Sequence, residues 1–158
     1  MPLQFDDHGN VVPYKIIELT MEEYSEAFVK EFPDSQTRGI LYDKLVKYRY
    51  DLFRAIKSSF PQWVDGSFVT LKLNPNDIDL VNLIPFNATL DLSIENLIPY
   101  FTVGGSLENY QIDAHLIPVY PKTDPRFENT EVRMAYFKEW FGHDRTKNPK
   151  GFIELNAS

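Results

Sequence analysis

The chain has 158 residues, of which 43% are hydrophobic, and a formal net charge of −7 at pH 7. This length is typical of one domain with its own core, and we expect a single domain over residues 1–158. The negative charge argues against broad, non-specific nucleic-acid binding, which depends on neutralising phosphates with Lys and Arg. The sequence has no Cys, so disulfides, a thiolate nucleophile and Cys-ligated zinc are excluded. The chain has no apolar run long enough to cross a bilayer and no signal-peptide profile at its start, and we therefore expect a cytoplasmic protein.

The first part of the chain predicts an extended arm followed by two helices. Residues 1–19 contain a broken apolar segment, and the sequence from Thr20 to Glu23 matches a capping box. The first helix is expected to end near Phe32, because the residue before a proline avoids helical geometry. A second, longer helix is predicted to follow a cap at Asp34 or Ser35, because its apolar residues recur at spacings of three and four.

Beyond Pro61 the hydrophobic period changes to two, which predicts strands. We expect three strands, at Gln62–Val64, Ile78–Ile84 and Tyr110–Tyr120, and a helix at Leu92–Phe101. A final helix is predicted from a cap at Asn129 or Thr130 to Phe141, with Gly142 as its terminator. The segment GFIEL, residues 151–155, is expected to add an edge strand. Helices flanking a small mixed sheet define an α+β fold.

Acidic side chains interrupt two of these apolar runs. Alternate residues of a strand share a face, so Asp77 and Asp79 point the same way. Asp113 and His115 do the same in the third strand. If the second and third strands pair, three carboxylates converge on one patch. Two like charges ~4 Å apart repel by roughly 4 kcal/mol at an effective dielectric of ~20, so either a proton is shared or a cation lies among them. Hard oxygen ligands of this kind suit Mg²⁺ or Mn²⁺.

The pair Gly66-Ser67 precedes the acids by about ten residues. A glycine lets the backbone approach a ligand closely, and the serine offers a hydroxyl and an amide. A turn of this kind can hold the phosphates of a nucleotide whose other phosphate oxygens reach a metal.

The order Gly-Ser, loop, Asp-x-Asp and a third acid on a neighbouring strand resembles the nucleotidyltransferase superfamily that includes DNA polymerase beta. The matching residues are Gly66, Ser67, Asp77, Asp79 and Asp113. The whole chain also resembles a family of short bacterial nucleotidyltransferase-like proteins, through FDDHGNVVPY, GSFVTLKLNPNDIDLV and FGHDRTKNPKGFIEL. In two respects the chain departs from the superfamily pattern. The loop after Gly-Ser lacks the further glycine and arginine that many members carry, and no large nucleotide- or primer-binding domain follows the sheet.

The resemblance implies a polymerase beta-like fold and transfer of a nucleoside monophosphate from a nucleoside triphosphate to an unknown acceptor hydroxyl. It implies that Asp77, Asp79 and Asp113 hold Mg²⁺ or Mn²⁺, that Ser67 holds the outer phosphates and that Lys72 adds charge to the leaving group. An alternative is a member of a toxin–antitoxin or phage-defence pair, catalytically degenerate and acting through a protein partner encoded nearby. A third alternative is a structural interaction domain with an incidental acid cluster.

Each of these residues also has a simpler interpretation. NPND, residues 74–77, is a common turn sequence, although it explains Asp79 poorly because Asp79 lies inside the apolar run. Asp113 and His115 are compatible with surface or core positions, and Lys72 with an ordinary loop. The charged segment from His143 to Lys150 is most simply a solvated tail, or else it binds a phosphate-bearing acceptor or a partner chain.

Overall fold

A five-stranded mixed sheet forms the centre of the fold in the computed structural model, which describes residues 3–89 and 94–156. The strands are β1 (Gln4–Phe5), β2 (Val11–Val12), β3 (Ile16–Leu19), β4 (Gln62–Asp65), β5 (Ile78–Pro85), β6 (Ile112–Val119) and β7 (Phe152–Leu155). β1 and β2 form a separate antiparallel pair. The large sheet has the order β3-β7-β4-β5-β6, in which β3–β7 and β5–β6 are parallel and both pairs involving β4 are antiparallel.

Within the described residues, the helices all lie between β3 and β7 in the chain. They are α1 (Met21–Ser25), α2 (Arg38–Ile56), α3 (Ile94–Leu97), α4 (Ser106–Tyr110) and α5 (Phe127–Phe141). Short turns of π or 3₁₀ helix occur at Glu26–Lys30, Ser67–Val69, Phe86–Thr89, Ile98–Tyr100 and Thr102–Gly104. None of the helices within the described ranges is both long and apolar enough to span a membrane. The predicted combination of helices with a small mixed sheet, an α+β fold, is confirmed.

The capping box at the start of α1 is confirmed, because the Thr20 hydroxyl accepts from the Glu23 amide at 3.1 Å and the Glu23 carboxylate accepts from the Thr20 amide at 3.0 Å. The predicted cap of α2 at Asp34 or Ser35 is wrong. α2 begins three residues after Ser35, whose hydroxyl nevertheless accepts from the Arg38 amide at 3.1 Å. The buried Arg38 side chain donates to the carbonyl oxygens of Phe28, before the helix, and Phe68, after it. These tertiary hydrogen bonds fix where the helix begins.

The predicted cap of α5 at Asn129 or Thr130 is also wrong, because α5 begins at Phe127. Thr130 is buried instead, where its hydroxyl donates to the Pro118 carbonyl at 2.8 Å and accepts from the Tyr120 amide at 3.1 Å. A Thr hydroxyl can either cap a helix or join it to a neighbouring strand, as Thr130 joins α5 to the end of β6. Local sequence does not distinguish these two roles. The predicted end at Phe141 is confirmed, with Gly142 as the C-cap.

The three predicted strands are confirmed to within two residues at each end. The segment GFIEL forms β7, but the prediction of an edge strand is wrong, because β7 lies between β3 and β4. Its neighbour β3 comes from the N-terminal arm, and pairing between segments so distant in sequence leaves no local signal. In the region predicted as a helix at 92–101, residues 92 and 93 lie outside the described residues. The remainder is divided between α3 and 3₁₀ turns.

The two faces of the sheet are covered by different helices. One face packs against α1 and α2 through a large apolar cluster that includes Tyr24, Leu45, Leu80 and Ile153. The other face packs against α5 through a smaller cluster, with Trp63, Val81, Leu83, Ile117, Phe137, Phe141 and Phe152 as its buried members. Since side chains alternate along a strand and Leu80 faces α2, its neighbour Asp79 lies on the α5 face.

Candidate functional site

Three aspartates form a row across adjacent strands at one end of the α5 face. In the strand register Asp65 of β4 pairs with Asp79 of β5, and Asp79 pairs with Asp113 of β6. Residues directly opposite each other on neighbouring strands point to the same face, with Cβ atoms about 4.5–5.5 Å apart. The pairing of the second and third predicted strands is thus confirmed, and it brings Asp79 and Asp113 together.

Asp65 was missed by the sequence analysis, although it ends β4 and directly precedes Gly66-Ser67. Its signal was an acid adjoining an apolar run, the feature that identified Asp79. The prediction ended the strand at Val64, one residue too early. Asp77 lies outside β5, immediately before its first residue, and is partly buried.

A cavity of about 1220 Å³ opens above the row. Every residue that sequence analysis assigned to the site lines it, namely Gly66, Ser67, Lys72, Asp77, Asp79 and Asp113. Asp65 and Lys150 are also in its wall. His115 is not among its described lining residues. The three sequence segments that carry the resemblance, near residues 5–14, 66–81 and 141–155, all contribute to this one cavity.

The His115 ring lies under α5, with ring-centroid distances of 5.4 Å to Phe137 and 5.2 Å to Trp140. Its Nε2 is 3.4 Å from the Asp113 Oδ1 and has no hydrogen-bond partner in the described part of the chain. Burial lowers the pKa of His115, against the opposing effect of Asp113. Its interpretation as a core-packed histidine fits these contacts better than a role in the cavity.

Gly66 allows the turn after β4 to close over Asp79. It has φ of +81°, and a Cβ built there would lie 2.7 Å from the Asp79 Oδ2. A side chain at this position would strain the backbone, and its Cβ would require the Asp79 carboxylate to move. A glycine here was expected to let the backbone approach a ligand, and the group that it approaches in the structure is the Asp79 carboxylate.

Burial and repulsion between neighbouring carboxylates raise the pKa values of Asp77 and Asp79. Burial raises the pKa of Asp79 to about 6, with further raising by Asp77 and Asp113 and opposing effects of Lys150 and Arg145. The pKa of Asp77 is also raised, first by burial and then by Asp113. A cation that binds beside such carboxylates stabilises their ionised form.

Lys150 supplies one internal counter-charge. Its Nζ lies 2.8 Å from the Asp65 Oδ1, and the two side chains are only 4% and 8% exposed. The same ammonium donates to the Gly66 carbonyl at 3.3 Å. Burial raises the pKa of Asp65 to about 7, and Lys150 holds it from rising further. Lys150 thus neutralises the β4 end of the row and fixes the Gly66 turn, a role that sequence analysis missed because Lys150 was grouped with tail charges.

The segment from His143 to Lys150 is folded against the cavity rather than extended as a solvated tail. His143 and Pro149 form an antiparallel bridge, and the Asp144 carboxylate accepts from the Asn10 amide at 3.1 Å. The prediction that its charges are solvated holds for Arg145 and Lys147, which are exposed.

The donor chemistry of the site fits a divalent cation. Within residues 3–89 and 94–156, no three His, Asp or Glu side chains are arranged closely enough to hold a metal ion as they stand. Asp77, Asp79 and Asp113 nevertheless present carboxylate oxygens to one cavity, and these are the ligands that Mg²⁺ and Mn²⁺ prefer.

The fold and site define an α+β protein with an acid-lined cavity at one end of a mixed sheet. The chain belongs to a family of unknown function (DUF6932), whose profile matches residues 3–156. No curated protein and no solved structure matches the chain.

Proposed function

We propose that this protein is a metal-dependent nucleotidyltransferase, which moves a nucleoside monophosphate from a nucleoside triphosphate to an acceptor hydroxyl. The observation that carries the proposal is the strand register that sets Asp79 opposite Asp113, beside a cavity that Asp77 and the Gly66-Ser67 turn also line. Its support from the fold is the order of elements. A strand and the Gly-Ser turn are followed by Asp77, by an antiparallel strand with Asp79 and by a neighbouring strand with Asp113. On this proposal the sheet is a small polymerase beta-like fold.

Asp77, Asp79 and Asp113 would hold Mg²⁺ or Mn²⁺. When bound, the ions supply positive charge to the triphosphate and lower the pKa of the acceptor hydroxyl. The Gly66 and Ser67 turn would hold the outer phosphates, and Lys72 would add charge near the leaving group. In the reaction a bond forms between the acceptor oxygen and the α-phosphorus, and the bond from that phosphorus to the β-phosphate bridging oxygen breaks. Pyrophosphate leaves, and the acceptor proton passes to a carboxylate or to water.

The experiment is incubation with each α-labelled nucleoside triphosphate, Mn²⁺ and a cell lysate that supplies acceptors. Wild type is compared with Asp77→Asn, Asp79→Asn and, as a matched control, Asp43→Asn, an exposed aspartate of α2 that lies outside the cavity. We expect the two site variants to label at least 100-fold less product, because loss of a metal ligand removes charge stabilisation in the transition state. The control is expected to label as wild type does.

Equal labelling by wild type and Asp79→Asn would show that the site is wrong. Absence of label with all four triphosphates would argue against nucleotidyl transfer. The alternative of a catalytically degenerate member of a toxin–antitoxin or phage-defence pair, with a protein partner, stays a prediction.

A further inference from the structure

The cavity has a second wall built by residues 143–150, here called the C-terminal loop. The Asp144 carboxylate is its hub. Oδ1 accepts from the Thr146 amide at 2.9 Å, the Thr146 hydroxyl at 3.0 Å and the Asn148 amide at 2.9 Å. Oδ2 accepts from the side-chain amides of Asn10 and Asn148, each at 3.1 Å. These bonds fix the loop backbone in one shape.

Asp144 is the only acidic residue within the loop, and the same hydrogen bonds engage both of its carboxylate oxygens. The hydrogen bond from Asn10, followed by those from Asn148 and Thr146, lowers the pKa of Asp144 well below its ordinary value. Asn10 is itself buried and also donates to the Pro149 carbonyl at 3.3 Å, so the N-terminal arm supports the loop from beneath. Asp144 is therefore occupied inside the loop and is not an ion-pair partner of its neighbours.

Two cations, Arg145 and Lys147, project from this framework. Arg145 and Lys147 line the cavity and are exposed, and in the described part of the chain neither makes an ion pair or a side-chain hydrogen bond. Arg145 lowers the pKa of both Asp77 and Asp79, which means that its guanidinium is within electrostatic range of the acids. Lys147 has φ of +66°, a left-handed conformation that closes the tip of the loop.

The ligand that suits this cavity must satisfy opposite charges on two walls. A bare anion is repelled by the acid row, and a bare cation is repelled by the C-terminal loop. A chain of phosphates that carries a divalent cation satisfies both walls, since the cation faces the carboxylates while phosphate oxygens accept from Arg145 and Lys147. Charge-assisted hydrogen bonds from Arg to phosphate are among the stronger polar contacts in proteins. The volume of about 1220 Å³ is ample for such a ligand.

We propose that the C-terminal loop binds the polyphosphate chain of a metal-complexed nucleotide, with Arg145 and Lys147 as the contacting side chains. The assignment of the ligand to a nucleotide rests on the proposed function, whereas the polyphosphate site rests on the two charged walls. The loop thereby gives the outer phosphates a second contact in addition to the Gly66-Ser67 turn.

Isothermal titration calorimetry of the full chain tests this proposal, with Mg²⁺ present and three probes: a nucleoside triphosphate, inorganic tripolyphosphate and the matching nucleoside. The variants are Arg145→Gln, Lys147→Gln and the double substitution. The controls are Arg54→Gln and Lys122→Gln, which remove exposed cations outside this cavity. We expect about tenfold weaker binding of both phosphate probes for each single loop variant, and affinities within twofold of wild type for the controls.

Several outcomes overturn the proposal. They are unchanged affinity in the double loop variant, nucleoside binding as tight as triphosphate binding, or no binding of either phosphate probe by wild type. The proposed function fails separately. If no triphosphate supports transfer but Arg145→Gln still weakens tripolyphosphate binding, the polyphosphate site stands and transfer does not. If Asp79→Asn abolishes transfer while the loop variants bind normally, only the loop assignment is wrong.

Discussion

The two faces of β4 and β5 differ in how fully their polar side chains are hydrogen-bonded. On the α2 face Asn82 is fully buried and fully bonded. Its carbonyl accepts from the Gln62 amide at 2.7 Å, and its own amide donates to the Tyr48 hydroxyl at 2.9 Å and to the His115 carbonyl at 3.1 Å. Arg49 completes the network by donating to Gln62.

The α5 face carries Asp79, three residues earlier on the same strand. Its carboxylate makes no hydrogen bond with the described residues, and its pKa is raised by burial. The carboxylates of Asp65, Asp77 and Asp113 are close to it. A saturated buried network stabilises a fold, whereas an incompletely satisfied one costs free energy. The α2 face thus stabilises the fold through a saturated network, and on the proposed function the acids of the α5 face are neutralised by a bound metal ion.

The largest effect on stability is expected for Lys150→Met, at the ion pair that neutralises the β4 end of the acid row. Removing the ammonium leaves Asp65 buried without its counter-charge, which we expect to lower the free energy of unfolding by about 3–5 kcal/mol. Urea denaturation at pH 8 measures it, with the exposed Lys122→Met as control. The double variant Asp65→Asn/Lys150→Met should recover much of the loss, and a Lys150→Met midpoint equal to that of wild type would contradict the role of the pair.

A second prediction compares the two faces of β5 directly. Asn82→Leu leaves the partners of a buried amide unsatisfied, and we expect a loss of about 2 kcal/mol in the free energy of unfolding. Asp79→Asn removes a costly charge instead, so its stability at pH 8 should equal or exceed that of wild type. Denaturant melts of both variants check this, and metal-dependent labelling should be retained only in Asn82→Leu. A larger stability loss in Asp79→Asn than in Asn82→Leu would reverse the comparison.

The smallest effect is a pH dependence. Because the folded pKa of Asp79, about 6, exceeds its ordinary value of 3.8, the folded state binds more protons between those values. Stability from this group is present below about pH 4 and is lost as pH rises through 6, by about 2 kcal/mol between pH 4 and pH 8. The difference in unfolding free energy between wild type and Asp79→Asn, measured from pH 4 to 8 without divalent ions, isolates this contribution from those of Asp77, Asp113, Lys150 and Arg145. A difference in unfolding free energy that does not change with pH would contradict this prediction. Addition of Mg²⁺ should reduce the pH dependence of the difference.

Much of the fold followed from local patterns. The capping box at Thr20, the alternation in β5 and β6 and the glycine after α5 are each encoded in a few neighbouring residues, and the structure confirms them. Errors arose where a distant segment intervened. Thr130 was predicted as a cap because local sequence does not show that its hydroxyl bonds to the end of β6, and GFIEL was predicted at an edge because β3 lies more than 130 residues earlier.

The candidate site divides in the same way. The sequence by itself determined that Asp77, Asp79 and Asp113 interrupt apolar runs and that a Gly-Ser turn precedes them, because side-chain alternation and turn chemistry are local properties. Only the tertiary structure decided that Asp65 joins the row, that Lys150 neutralises one end of it and that the C-terminal loop forms the opposite wall. Those contacts depend on strand register and on the packing of both chain ends, which are set by burial of the whole core rather than by any short segment.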